Sequence, residues 1–231
     1  MYTSSILDTP LLPTGPIDPA EPNQAVTSDW AFLKGDVEIG IWECTPGTFD
    51  SGKQDFDEAM FMVSGRVTIT HACGPDGGSY DVAPGTLWTT PRDWDHRWDV
   101  HQTVRKMYVI DHRASSPGVP THLPNVHTVD LGAGTPRPTV IAGSPVEASM
   151  SLWEHGKLDV GVWACTPGEF PFTRDRYQEV FCVLSGHATL HLDGGPSFEL
   201  VPGAMILTPS GTTGRWVVHE TVRKAYVTIA D

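Results

Sequence analysis

W-E-C-T-P-G-T-F (Trp42–Phe49) and, after a short polar connection, E-A-M-F-M-V-S-G (Glu58–Gly65) decide how this chain folds. The same words return as W-A-C-T-P-G-E-F (Trp163–Phe170) and E-V-F-C-V-L-S-G (Glu179–Gly186), each position 121 residues later. Spacing held that rigidly over both segments means one structural unit present twice.

The apolar pattern says what kind of unit it is. Val37 to Cys44 (V-E-I-G-I-W-E-C) alternates apolar with small or polar residues, the period of a half-buried strand. T-P-G then turns the chain, and Met60 to Val63 is a continuous apolar run that suits a strand buried on both sides. Arg66 to His71 alternates again, G-P-D-G-G reads as a hairpin loop, and Pro84-Gly85 and Pro91 punctuate the next short apolar runs. Arg97–Val100 and Val104–Ile110 complete about seven or eight short strands, with no helical period anywhere. In the second copy Pro202-Gly203 stands 118 residues after Pro84-Gly85. Three residues have therefore gone from the hairpin loop, where deletions are tolerated.

These readings divide the chain into an extended arm (1–29), a first β domain (30–112), a Pro/Gly-rich linker (113–148) that excludes regular structure, and a second β domain (149–231). Ile6, Leu7, Leu11 and Leu12 could staple the arm onto a barrel or a second subunit; the alternative is a loose tail.

Bulk properties narrow the function. The 231 residues are ordinarily apolar at 39% and carry a net charge of −13. That charge argues against nucleic acid and against an anionic membrane surface as partners. The N-terminus has no basic or apolar leader, and no run approaches the roughly 20 apolar residues of a membrane span, so a soluble cytoplasmic protein is expected. The cysteines Cys44, Cys73, Cys165 and Cys182 form no C-x-x-C pair and are expected as buried or half-buried thiols in a reducing compartment.

A unit of short strands with Pro-Gly punctuation fits a small jelly-roll barrel. Glu58-x6-Gly65 and Glu179-x6-Gly186 match the end of the first cupin motif; Gly85-x5-Pro91 and Gly203-x5-Pro209 match the opening of the second. The chain thus resembles a bicupin, all-β with two tandem cupin jelly-roll barrels. W-x-C-T-P-G and H-x-T-V-R-K-x-Y-V are similar to the small-cupin family related to the ethanolamine-utilisation cupin and to (S)-ureidoglycine aminohydrolase. The resemblance implies barrel sheets that pack through apolar faces, here within one chain, with further homodimerisation left open. It also implies a small-molecule ligand, and hydrolysis or another C–N transformation as the leading activity.

Cupins commonly hold a metal with two His and a Glu of the first motif and a His of the second. Here the H-x-H is missing: copy one has Ser51-Gly52-Lys53-Gln54 and copy two has Phe172-Thr173-Arg174-Asp175. Glu58 and Glu179 remain, and the second-motif His survives only as His96, opposite Gly214. The site is therefore expected either without a cofactor or with a divalent transition metal (Mn, Fe, Ni or Zn) on Glu58 and His96. Without metal, Glu58, His96 and Tyr108 could serve as general acid and base in the first barrel. Met60, Met62, Trp88, Trp94 and Trp98 could line its apolar mouth. In the second barrel Glu179, His187 or His191, Arg174, Arg176, Arg215 and Tyr226 are interior candidates, and the arginines could clamp a carboxylate or phosphate. Arg174 and Arg176 stand opposite Lys53 and Asp55, while Asp57 belongs on the strand face away from Glu58. The recurrent Arg105-Lys106 and Arg223-Lys224 read as charge pairs on an exposed strand, and recurrent His101 and His219 as loop histidines bonded to backbone. Two function classes result: an enzyme whose active barrel is the first, and a non-catalytic, metal-free ligand-binding or structural bicupin.

Overall fold

The structure is a computed structural model that describes residues 2–17, 24–71, 78–113, 115 and 118–231, without the side chains of 2–4 and 29–34. The expected hairpin loop G-P-D-G-G, except Gly78, and Cys73 lie outside the described residues. Nineteen strands and no helix are found among them. Accordingly no helix is long and apolar enough to cross a membrane. After β1 (Tyr2–Ser5), residues 8–126 carry β2 (Leu12–Gly15), β3 (Val26–Lys34), β4 (Val37–Cys44), β5 (Gly47–Lys53), β6 (Asp57–His71), β7 (Gly78–Val82), β8 (Leu87–Thr90), β9 (Asp95–Asp111) and β10 (Thr121–Leu123). Residues 127–231 carry β11 (Thr135–Pro136), β12 (Ala142–Gly143), β13 (Val146–His155), β14 (Leu158–Cys165), β15 (Gly168–Thr173), β16 (Tyr177–Leu192), β17 (Ser197–Leu200), β18 (Ala204–Thr208) and β19 (Thr213–Ala230).

Two compact units result: an N-terminal barrel of residues 8–126, and a C-terminal barrel of residues 127–231 joined by 1–7. In the first, β9 is central and pairs antiparallel with β4, β5 and β6, while β6 also pairs β7 and β8. In the second, β19 pairs β14, β15 and β16 in the same way, and β16 also pairs β17 and β18. The long strands bend where the register slips, between Met62 and Val67 and between Val183 and Ala188. Bulges of this kind let one strand turn the corner of a barrel. The apolar runs of the opening stretch are buried on both faces, as their composition requires: Met60, Phe61 and Met62, then Val180 to Leu184.

The linker departs from the sequence expectation, while the arm is extended as expected. Pro and Gly do not exclude strands here, because short edge strands borrow their partners from an existing sheet. β10 pairs β8 within the N-terminal barrel, and β1 pairs the equivalent β18 within the C-terminal barrel. Val126 N–H donates to Gly85 O at 2.9 Å, and Ile6 N–H donates to Gly203 O at 3.0 Å. Both side chains are buried, whereas Leu7 and Leu12 are exposed, so Ile6 is the staple. Arg105 Nη2 donates to Thr9 O at 2.5 Å, and Arg223 Nη2 to Val129 O at 2.7 Å. Arm and linker are thus copies of one edge element, joined to their barrels by backbone contacts that ask little of side-chain identity.

Cys44, Cys165 and Cys182 are buried free thiols. Burial pushes the first two up to about 11 and Cys182 up to about 12, out of reach of thiolate chemistry at neutral pH.

Candidate functional site

Each barrel holds a cavity open to solvent on one side, of about 320 Å³ in the N-terminal and about 360 Å³ in the C-terminal barrel. Both are built around a side chain that sequence reasoning places on the surface. Lys106 and Lys224 are 6% and 5% exposed and point inward. Strand period alone could have found them: Val104, Lys106 and Tyr108 share one face of β9, so an interior tyrosine implies an interior lysine. Their neighbours Arg105 and Arg223 do face outward, onto the arm and linker carbonyls.

Lys106 Nζ donates to Glu58 Oε1 at 2.7 Å, and Lys224 Nζ to Glu179 Oε1 at 2.6 Å. The ammonium groups lie over aromatic faces: 5.0 Å from the Trp42 and Trp98 ring centres, and 4.9 and 4.4 Å from Trp163 and Phe181. A buried ion pair under aromatic rings is favourable only because both charges are matched and the cation meets π density. The retained motif carboxylate is therefore the partner of a lysine in both copies.

The barrels differ through a bulge hidden in the equal-length connection. In β5 the register slips between Asp50 and Gly52, so that Gly52 pairs with His96. In β15 Phe172 pairs with Gly214 without a slip. Gly52, not Ser51, is thus the counterpart of Phe172, and Gln54, not Lys53, is the counterpart of Arg174. The hydrogen bonds agree: Gln54 Nε2 donates to Thr90 Oγ1 at 3.0 Å, and Arg174 Nε donates to Thr208 Oγ1 at 2.9 Å. Lys53 instead makes an exposed ion pair with Asp93 at 3.1 Å.

The cross-strand pair Gly52–His96 has become Phe172–Gly214, with the bulky group moved to the other strand. A Cβ on Gly214 would sit 2.9 Å from Phe172 Cε1 and 2.1 Å from His191 O. Loss of the imidazole in the C-terminal barrel is thus a repacked pair rather than a vacancy. His96 itself is buried against Trp94, with ring centres 4.4 Å apart, and its Nδ1 has no hydrogen-bond partner among the described residues. Burial first, and the Lys106 cation second, push its pKa down to about 3. It is a neutral imidazole at physiological pH.

In the C-terminal barrel Arg174, 7% exposed, adds a second cation beside Glu179, to which its Nη2 is ion-paired. Burial raises the Glu179 carboxyl, but Arg174 and Lys224 more than offset this and hold it below the usual range. Burial chiefly, and Arg174 next, lower Lys224 to about 8. Arg137, from the linker, also lines this cavity. It stacks 4.1 Å from the Phe170 ring centre and pairs with Glu147. The residue 120 places earlier, Ile17, lines the N-terminal cavity.

Of the other sequence candidates, Trp98 and Tyr108 line the N-terminal cavity with Glu58 and His96. Met60, Met62, Trp88 and Trp94 are core residues behind it rather than a mouth. Asp57 accepts from the Arg92 N–H at 2.7 Å, and Asp55 is exposed. Tyr226 lines the C-terminal cavity with Glu179 and Arg174. Arg176 is exposed at a left-handed position with φ 63°, and Arg215 pairs with Glu169 at 2.8 Å; neither lines the cavity, nor do His187 and His191.

The interior does not fit the metal that the motif resemblance implies. A Glu58 oxygen already holds an ammonium. Among the described residues, His96 is the only imidazole lining the N-terminal cavity, and none lines the other. A transition metal needs more donors than this pair provides.

A sequence profile of the EutQ-like cupin domain matches residues 33–108 and 153–226. No curated protein sequence matches. Among solved structures, a protein of unknown function from Pseudomonas syringae pv. tomato str. DC3000 is similar over 98% of both chains, with 22% identity and TM-score 0.75. A putative glyoxylate-induced protein from Pseudomonas aeruginosa is 18% identical with TM-score 0.64, over 89% of this chain and 79% of that one. Lactobacillus farciminis oxalate decarboxylase, in a formate complex, is 12% identical with TM-score 0.59, over 100% of this chain and 86% of that one. At these identities the likeness is one of fold.

Proposed function

Because the chain belongs to the EutQ-like cupin family, we propose that it is a bicupin that binds a small carboxylate-bearing metabolite inside its C-terminal barrel, without a metal ion. One observation carries this reading: the buried triad Arg174–Glu179–Lys224 holds two cations and one anion at a cavity of small-metabolite size. The equivalent Gln54–Glu58–Lys106 group has no surplus charge. Lys224 spends one of its three N–H donors on Glu179, leaving donors for a ligand carboxylate. An ammonium and a guanidinium in a desolvated site favour an anion far more than they would in water.

A second reading, catalysis in the N-terminal barrel, rests on His96 beside Glu58 and Tyr108 in one cavity. Proton transfer works best with a group poised near the working pH. His96 is held neutral and Glu58 is tied to a lysine, so this set is better suited to hydrogen-bonding a ligand than to hydrolysis or C–N cleavage.

The test is calorimetry and thermal shift with oxalate, glyoxylate, formate and longer dicarboxylates. Arg174→Gln, which installs the residue of the other barrel, is expected to weaken anion binding about 10- to 100-fold. An unchanged affinity in that variant, or no binding by any anion of the set, overturns the proposal. Binding should also weaken about tenfold between pH 7 and pH 9, as Lys224 loses its proton near pH 8. The same group contributes oppositely to stability. Between about 8 and its ordinary 10.5 the unfolded chain holds the proton and the folded chain does not, so its contribution to stability rises with pH across that window.

A further inference from the structure

On the outer surface of the C-terminal barrel, three neighbouring strands bring together two imidazoles and a carboxylate. His187 on β16, Glu199 on β17 and His219 on β19 each offer a ligand atom, and these atoms lie within 4.8 Å of one another. His187 Nε2 is 2.7 Å from Glu199 Oε2, and the two imidazole ring centres are 4.7 Å apart. Thr189, between them on β16, donates from Oγ1 to Glu199 Oε1 at 3.0 Å and lies 2.8 Å from His219 Nε2. His219 is thus bonded to a side chain rather than to backbone.

We propose that His187, Glu199 and His219 form a surface site for a divalent transition-metal ion of the Zn²⁺ type. Two imidazoles and a carboxylate match borderline ions such as Zn²⁺ or Ni²⁺, not the oxygen-seeking Mg²⁺ or Ca²⁺. Ligands about 2.1 Å from a tetrahedral ion stand about 3.4 Å apart, a geometry reached here by small rotations of exposed side chains. The side chains of His187 and Glu199 are 39% and 63% exposed and free to make them. Thr189 supplies the outer hydrogen bond that fixes the orientation of metal-ligating groups. Three protein ligands leave a further coordination position open to solvent.

The N-terminal barrel is a built-in control. At the equivalent pairing positions it carries Arg66, Thr68, Asp81 and His101. Thr68 Oγ1 donates to Asp81 Oδ1 at 2.9 Å and lies 2.7 Å from His101 Nε2. The Thr–carboxylate–His contact therefore belongs to the shared fold. What the fold does not explain is His187, which replaces an arginine and completes a set of three donors.

Untagged protein, stripped with a chelator, is titrated with Zn²⁺ in a calorimeter. One ion per chain is expected, with a rise in melting temperature. Losing a ligand should cost more than losing an outer-shell contact, so His187→Arg and His219→Gln are each expected to weaken binding at least about 100-fold. His187→Arg uses the residue the other barrel tolerates at this position, so its fold is preserved. The absence of saturable Zn²⁺ binding overturns the proposal, and so does a one-ion isotherm that both variants leave unchanged.

Discussion

Lys106→Met is expected to destabilise the N-terminal barrel by about 3–5 kcal/mol, because it strands the Glu58 carboxylate in the interior without a cation. The two side chains are 8% and 9% exposed, so little solvent is available to take over. Methionine preserves most of the volume, which separates the charge effect from cavity formation. The double variant Lys106→Met/Glu58→Gln should regain most of the loss, since the cost lies in the unpaired charge. Lys224→Met should cost less than half as much, because Arg174 remains beside Glu179. Urea unfolding followed by tryptophan fluorescence reads all three, since Trp42 and Trp98 flank Lys106 and Trp163 flanks Lys224. Equal losses for the two lysines would refute the compensating role given to Arg174.

Gly186→Ala should destabilise by more than about 3 kcal/mol, through left-handed strain and steric conflict together. Its φ is 84°, and a Cβ there would stand 2.1 Å from Thr221 O and 2.7 Å from Val222 Cα, both backbone atoms that cannot rotate away. Gly65, at φ 88° and 2.2 Å from Thr103 O, should behave alike. Gly52→Ala is the control: φ is 64° with nothing within 4 Å, so only the conformational cost of about 1 kcal/mol applies. Equilibrium unfolding of the three variants gives the comparison, and a Gly186→Ala cost no larger than that of Gly52→Ala would show that the bend tolerates a side chain. The pair of glycines that closes the repeated stretch is therefore a packing requirement at the corner where β6 and β16 bend.

Much of the site is legible residue by residue. Glu58, His96, Trp98 and Tyr108 do share a cavity, and Glu179 shares the other with Arg174 and Tyr226. Lys106 and Lys224 escape notice because a lysine beside an arginine looks like surface, although the alternation of β9 and β19 places them with the interior tyrosines. Arg174 aligns with Lys53 in the sequence because the two connections have equal length. The slip at Ser51 leaves no trace in that length, since an extra residue in the strand is balanced by one fewer in the following turn. The arm and linker share little side-chain signal beyond buried Ile6 and Val126, for their other shared contacts are accepted by backbone carbonyls.

Strand periodicity, turn residues and repeat spacing are enough to establish that the chain is all-β and that one unit occurs twice; that each copy is a cupin barrel follows from the resemblance of its motifs to that family. Those signals are local along the chain, so they can be read before it folds. The contents of each barrel are not local. Which side chain meets Glu58 or Glu179 depends on strand register, and a single bulge exchanges one neighbour for the next. Whether those carboxylates are free, metal-bound or lysine-bound is a matter of burial and distance, and burial and distance exist only once β9 and β19 have closed their barrels.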